Sequence, residues 1–193
     1  MRIVGRYRHL GGVISGSGDL GPEIGPKMAI VRQTAQRLKR PFLRDPAVPV
    51  RTKAQVIQSL ILSRGLYLAG CWPSLLPREA RALKRSLIDS LRPLLGHSPV
   101  DQRQSDDEVI HALGVLIPVR LLTLMRVHVA IRVAERAPLQ VLILLFAARS
   151  ASRSWVSALE CDLEHLAQAS CLAEFKGAPL ARWFTFFRSS HAR

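Results

Sequence analysis

Two neighbouring carboxylates, Asp106 and Asp107, are of a type and spacing that could support metal-dependent catalysis. A close carboxylate pair can hold divalent metal ions, which clamp the attacking and leaving oxygens in a phosphoryl transfer. No apolar strand flanks this pair in the sequence, however. Ser105 and Glu108 instead frame it as a capping box, in which hydroxyl and carboxylate satisfy the first free amides of a helix. We therefore predict a helix start here and no metal site.

The histidines and cysteines do not indicate a second chemical site. The histidines are scattered, and no partnered serine or cysteine nucleophile is recognisable beside them. Cys71, Cys161 and Cys171 have neither CxxC spacing nor histidines at ligand distance, which argues against a zinc site and against a disulfide framework. We expect buried free thiols. The sequence predicts no catalytic residue, no metal ligand and no cofactor.

The charge balance of the chain favours a polyanionic partner. The 193 residues carry a net charge of +14, from 28 basic and 14 acidic side chains. Nucleic acid is the first candidate partner and an anionic membrane surface the second. Most of the basic residues are arginine, which suits bidentate phosphate contacts and base stacking, although a G+C-rich coding sequence gives the same bias. The hydrophobic content of 48% suffices for a buried core in one domain or two small ones.

The predicted secondary structure changes from strand to helix near Gly18. Before it, side chains alternate with a period of two around glycines suited to a tight turn. After it, apolar residues recur every three or four positions, as in amphipathic helices. The later helices are predicted over residues 77–95, 106–113, 118–135, 138–149 and 152–169. We therefore predict a mainly α fold with a short N-terminal β-hairpin, a helical thumb-like bundle and further helices.

Several short sequence motifs follow one another in a recognisable order between Tyr7 and Trp72. Tyr7-Arg8-His9-Leu10-Gly11 resembles the (F/Y)-K-Y-L-G strand of reverse transcriptases encoded by non-LTR, LINE-type retrotransposons. Leu20-Gly21-Pro22-Glu23-Ile24 is similar to the L-x-x-E-I segment of that family. Thr52-Lys53 and the later Tyr67-Leu68-Ala69-Gly70-Cys71-Trp72 resemble its T-K-…-S-…-L-L-Y-G-A-E-T-W helix. The chain departs from the family pattern at His9, Leu68 and Gly70.

The resemblance implies three regions: a primer-grip-like hairpin over 1–18, a thumb-like helical region over 19–114, and a C-terminal helical region over 115–193. In that family the catalytic palm, with its metal-binding aspartates, precedes the grip strand. Only six residues precede Tyr7 in this sequence. The resemblance therefore implies a fragment of an RNA-directed DNA polymerase that lacks the palm and is inactive alone. It implies no cofactor for the fragment, because Mg²⁺ would serve the parent polymerase only. Tyr7, Leu10 and Gly11 would shape the grip near a primer end.

Nucleic-acid binding is the activity that such a fragment could retain. A polymerase thumb meets the template–primer duplex through its backbone, so the contacts would be electrostatic and nearly independent of sequence. The residues expected to make them lie around the first thumb-like helix and the start of the next: Arg32, Arg37, Lys39, Arg40 and Lys53. The implied partners are an RNA/DNA template–primer duplex and an upstream palm domain. The alternative is a solvated face that keeps the chain soluble.

A second function of a different class stays open at this point, namely an independent basic helical adaptor or a membrane-surface protein. The apolar stretches 121–133 and 139–148 motivate it. Arg120, Arg126 and Arg132 recur every six residues through the helix predicted over 118–135, and we expect them on a solvated rim.

The sequence carries no recognisable export or membrane-spanning segment. Its N-terminus has no apolar signal core, and the uncharged run 137–148 is too short to cross a bilayer. We expect an intracellular protein, nuclear or cytoplasmic.

Aromatic residues occur in two groups with different sequence surroundings. Tyr67 and Trp72 lie in an apolar helical pattern and are predicted to fill the core. A second cluster is interleaved with arginine, which indicates a base-stacking platform or a docking helix with equal weight. It comprises Trp183, Phe184, Phe186 and Phe187.

Overall fold

The computed structural model describes residues 6–9, 12–15, 19–92, 104–150, 153–169 and 172–190. Most of them are helical. The α-helices are α1 Gly21–Leu38, α2 Val50–Val56, α3 Ser63–Gly65, α4 Pro77–Leu91, α5 Asp106–Leu113, α6 Pro118–Arg136, α7 Leu139–Ala147, α8 Trp155–Ala169 and α9 Leu180–Ser190. Wider π-helical turns, Lys39–Leu43 and Ile57–Leu62, extend α1 and join α2 to α3.

The strand-forming residues are few. The strands β1 (Arg6–His9) and β2 (Gly12–Ser15) form a two-stranded antiparallel sheet in which Tyr7 lies opposite Ile14. An isolated pair of four-residue strands is marginal in water. From residue 19 onward the described part of the chain contains no strand. The mainly α prediction is confirmed, but the prediction of a hairpin region over 1–18 as part of the architecture is corrected, because apart from these two short strands the secondary structure of the described residues is helical.

The chain divides into two compact units, which are described separately. Unit 1 comprises Met1–Tyr67 and Leu75–Leu121, and unit 2 comprises Leu68–Ser74 and Leu122–Arg193. The sequence instead predicts three regions, 1–18, 19–114 and 115–193.

Unit 1 is organised around α1, which packs against α4 and α3. Pro22 lies in the first turn of α1, where its missing N–H costs no hydrogen bond. Gly65 lets α3 approach α1 closely, because a Cβ there would lie 2.1 Å from Val31 Cγ2. The buried side chains of this core include Ile24, Met28, Val31, Leu43, Ile57, Ile61, Leu66, Leu83, Leu87, Ile88, Leu91 and Val109.

One buried carboxylate, Glu79, fixes the starts of two helices of unit 1, α1 and α4. The Glu79 side chain accepts hydrogen bonds from the backbone N–H groups of Leu20, at 3.0 Å, and of Leu76, at 2.7 Å. It therefore satisfies free amides at the N-termini of both α1 and α4. Glu23 forms a buried ion pair with Lys27, at 2.7 Å, one turn further along α1. Lys27 also donates to the carbonyl of Tyr67.

Helix α5 begins at the predicted capping box. The Ser105 N–H lies 2.6 Å from Glu108 Oε2, and the Glu108 N–H lies 3.3 Å from Ser105 Oγ. The hydrogen bond that the Ser105 backbone donates to the Glu108 carboxylate, and next a side-chain hydrogen bond with Ser105, hold the pKa of Glu108 below its ordinary value. The same helix ends at Gly114, whose φ of 59° is the left-handed conformation that glycine adopts without strain. The capping-box interpretation is confirmed.

Unit 2 has its own hydrophobic core. Buried residues of α6, α8 and α9 form most of it, joined by Leu142 of α7. Its aromatic members pack at centroid distances of 4.6 to 6.5 Å. Trp183, Phe184 and Phe187 are buried and Phe186 is half-buried. This aromatic cluster is therefore neither a stacking platform nor an exposed docking helix, because its rings supply the core of the unit.

The segment Leu68–Ser74 belongs to unit 2 and is held there by side chains that donate to its carbonyls. Trp155 Nε1 donates to the carbonyl of Gly70 at 2.6 Å, and Arg126 Nε to that of Trp72 at 3.1 Å. A Cβ on Gly70 would lie 2.6 Å from the carbonyl oxygen of Met125, so only glycine fits against α6 here. Trp72 is buried as predicted, whereas Tyr67 in unit 1 is exposed.

Among the described helices, none is by itself long and apolar enough to cross a membrane. The pair Asp106–Leu113 and Pro118–Arg136, which is bent at its junction, meets the length and composition requirement when its members are taken together.

Candidate nucleic-acid interface

The exposed side of α1 brings two of the predicted binding residues together. Arg32 and Lys39 are seven positions apart, so they lie on one face of the helix, with Gln36 between them. All three line a cavity of about 160 Å³ between α1 and α4. Two cationic groups and an amide thus face one recess, a combination suited to oxygen atoms of a phosphate.

A larger groove adjoins this recess and shares Arg32 with it. The groove measures about 360 Å³, and Ile24 and Met28 of α1 contribute apolar surface to it. Arg32 NH1 lies 3.5 Å from Ser86 Oγ on α4. On the same side, exposed Arg78 pairs with Asp19 at 3.3 Å. Arg32 therefore stands where a basic recess meets a partly apolar groove.

The acidic side chains near this face are already engaged. Asp89 lines the small recess, but its carboxylate lies 3.8 Å from Arg85 Nε and 3.7 Å from Arg92 Nε. Asp106 pairs with Arg92 at 2.6 Å and with Lys84 at 3.6 Å. Asp19, Asp89 and Asp106 therefore neutralise cations of α4 or of the residue directly after it. On α1, Glu23 pairs with the buried Lys27 and with no exposed cation of the helix.

A set of accessible cations remains on the α1 to α3 stretch. None of them forms an ion pair with a described residue. They are Arg32, Arg37, Lys39, Arg44, Arg51 and Arg64. A polyanion would meet these groups without displacing an internal acid.

The remaining predicted residues are placed differently from one another. Arg37 is exposed on α1 but does not line either recess. Lys53 is buried, with 6% of its surface exposed, so it does not extend the exposed basic face. Arg40 lies in the π-helical turn after α1. Tyr7 lies in β1, whereas Leu10 and Gly11 fall outside the described residues.

A buried polar cluster in unit 2 was missed by sequence reasoning. Arg126 was predicted on a solvated rim, but its side chain is 7% exposed and forms an ion pair with Asp162, which is 12% exposed. Thr123 Oγ1 donates to the other oxygen of Asp162 at 2.7 Å. The sequence signal that could have indicated the burial of Arg126 is its position among the apolar residues of a helical pattern. Arg120 and Arg132 are exposed, as the rim prediction expected.

The residues that the structure describes include no group of side chains placed to bind a metal ion and no disulfide. No three of their histidine, cysteine, aspartate and glutamate side chains are placed to hold a metal ion. The prediction of buried thiols is wrong for two cysteines, since Cys71 and Cys161 are exposed and form no disulfide. Cys161 Sγ lies 3.8 Å from His165 Nδ1 on the same helix. Cys171 falls outside the described residues.

Comparison with protein-family models, with curated proteins and with solved structures finds no match to this chain.

Proposed function

We propose that this chain binds nucleic-acid backbones without sequence preference, as the primer-grip and thumb portion of a LINE-type RNA-directed DNA polymerase that does not polymerise by itself. The observation that supports the binding is the set of cations from α1 to α3 without an acid partner among the described residues. The ordered motif similarity from Tyr7 to Trp72 supports the polymerase origin.

The distribution of charge suits phosphate contacts more than base recognition. Arg32 and Lys39 share one recess, while Arg37 projects from another side of α1, so the cations follow the helix surface. Contacts of this kind position a duplex and release its condensed counterions, and they carry no sequence information. Affinity should therefore depend strongly on salt and weakly on sequence.

Fluorescence anisotropy tests the binding, with labelled RNA–DNA hybrids and DNA duplexes of unrelated sequence titrated across a range of salt concentrations. The informative variant is Arg32→Gln/Lys39→Gln. Removal of each phosphate contact should flatten the plot of log affinity against log salt by about 0.9 or less. The matched control is Arg132→Gln/Arg136→Gln, which removes the same charge from exposed positions of unit 2. It should leave the slope nearly unchanged.

Two results would contradict this proposal in different ways. Sequence-selective binding that is indifferent to salt would exclude a thumb-like backbone contact. Equal loss of affinity in both charge variants would assign binding to overall charge rather than to α1. A primer-extension assay with Mg²⁺ or Mn²⁺ tests the remaining part, since we expect no synthesis above background. Robust synthesis by the chain alone would refute its assignment to a non-polymerising portion.

A further inference from the structure

We propose that α7, together with the arginines at its two ends, is a docking surface for the face of an anionic lipid bilayer. This surface lies in unit 2 and is separate from the basic face of α1. The proposal does not depend on nucleic-acid binding.

Helix α7 exposes large apolar side chains around most of its circumference. Leu139, Ile143 and Leu144 are 68%, 58% and 69% exposed. Val141 and Phe146 are also exposed, and the helix contains no charged residue. A soluble surface rarely carries so many large apolar groups in one run, so this patch indicates a contact with another apolar phase or molecule.

The opposite side of α7 is already packed, which fixes its orientation on unit 2. Leu142 is buried in the unit 2 core, and Leu145 packs against that core. The Phe146 ring contacts the Phe184 ring at a centroid distance of 5.8 Å. Rotation of α7 to hide its exposed side chains would remove these contacts. The apolar patch is therefore a fixed outer surface of unit 2.

Arginine side chains lie at both ends of this patch. Arg136 ends α6 directly before α7, and exposed Arg132 lies one turn earlier on the same helix. Arg188 Nε donates to the carbonyl of Ala134 at 2.6 Å, which holds it near the same end. Arg149 follows α7 and is exposed, although it pairs with Glu160 at 3.0 Å. An apolar surface between guanidinium groups complements acyl chains beneath anionic headgroups.

The dimensions of the patch favour a bilayer surface over a second copy of the chain. The patch consists of five exposed apolar side chains on one nine-residue helix, which is less surface than the about 800 Å² that each partner buries in a stable dimer. A nine-residue helix is about 14 Å long, roughly half of a hydrocarbon core. Helix α7 would therefore lie in the plane of the interface, with its exposed side chains among the upper acyl chains.

Vesicle flotation of the full chain tests the surface, with phosphatidylcholine vesicles that contain or lack phosphatidylserine. The wild-type chain should float with the anionic vesicles. Ile143→Gln/Leu144→Gln should lower the partition coefficient about ten-fold or more, because these two side chains are the apolar contact. Arg132→Gln/Arg136→Gln should lower it several-fold on anionic vesicles only. Hydrogen exchange of residues 139–147 should slow when anionic vesicles are added.

Matched controls separate this surface from general effects. Val50→Gln/Leu60→Gln alters two exposed apolar side chains of unit 1 and should float like the wild type. Ile143→Gln/Leu144→Gln should keep the far-ultraviolet circular dichroism and the binding of RNA–DNA hybrid unchanged. Failure of the wild type to float, or equal flotation of the apolar variant, would overturn the proposal. A dimer in sedimentation that the same variant abolishes, without vesicle binding, would assign the patch to self-association instead.

Discussion

Replacement of Asp162 by alanine should destabilise unit 2 more than any exposed charge substitution in it. Asp162 on α8 receives bonds from Arg126 and Thr123, both on α6. Arg126 also donates to the carbonyl of Trp72, so one guanidinium connects α6, α8 and the segment Leu68–Ser74. Removing the carboxylate leaves this buried cation without its counter-charge.

The size of the effect follows from burial. Because the two side chains are 7% and 12% exposed, solvent screening is weak and the surface ion-pair value does not apply. Loss of one partner from a buried pair costs about 3 to 5 kcal/mol, most of it from the uncompensated charge. Replacement of both partners by apolar residues, Arg126→Met/Asp162→Leu, should cost much less, since no buried charge remains. A large favourable coupling in the double-mutant cycle is therefore expected.

Urea unfolding followed by tryptophan fluorescence measures this prediction directly. All three tryptophans, Trp72, Trp155 and Trp183, belong to unit 2, so the signal reports that unit. Arg132→Ala, an exposed position on α6, is the control and should change the unfolding free energy by about 0.5 kcal/mol or less. A loss below about 1 kcal/mol for Asp162→Ala would refute the reasoning, because a solvated pair gives that value.

Further substitutions probe local features of the fold. Gly70→Ala should destabilise unit 2 by about 1 to 3 kcal/mol in urea unfolding, because its methyl would meet a backbone carbonyl of α6 that cannot rotate away. Trp155→Phe should cost about 1 kcal/mol in thermal unfolding followed by circular dichroism, through loss of the indole hydrogen bond to the Gly70 carbonyl. Glu108→Gln keeps the capping-box geometry but removes a carboxylate whose pKa is lowered in the folded chain. The lowered pKa contributes stability above the ordinary glutamate pKa, which is lost as pH falls through the folded value. The midpoint difference between wild type and this variant should therefore shrink on acidification, and a pH-independent difference would contradict it.

Features that depend on a few consecutive residues could be predicted from the sequence. The Ser105 to Glu108 box is one, because all its hydrogen-bonding groups lie within a single turn. The start of α4 at Pro77 is another, since proline at the first helical position needs no partner elsewhere in the chain. Both follow from local geometry that the sequence already contains.

Burial of individual basic residues could not be predicted in the same way. Arg126 and Arg132 occupy one helix six positions apart, yet the first is buried beside Asp162 and the second is exposed. Their difference depends on a carboxylate 36 positions away on another helix. Lys53 was likewise expected on the binding face and is buried. The C-terminal aromatic residues fill a core for a related reason, because Phe175 and α8 supply partners that spacing does not reveal.

The net charge of the chain is therefore less informative than the placement of its acids. Unit 1 holds 19 of the 28 basic and 9 of the 14 acidic residues, so it carries most of the excess positive charge. Within it, Asp19, Asp89 and Asp106 pair with cations of α4 or of the residue after it, which leaves Arg32 and Arg37 of α1 accessible. In unit 2 the acid Asp162 is engaged internally by Arg126, while Arg132 and Arg136 border an apolar helix. Because a phosphate backbone needs accessible charge and a bilayer needs charge beside apolar surface, we propose that the two units bind different polyanions.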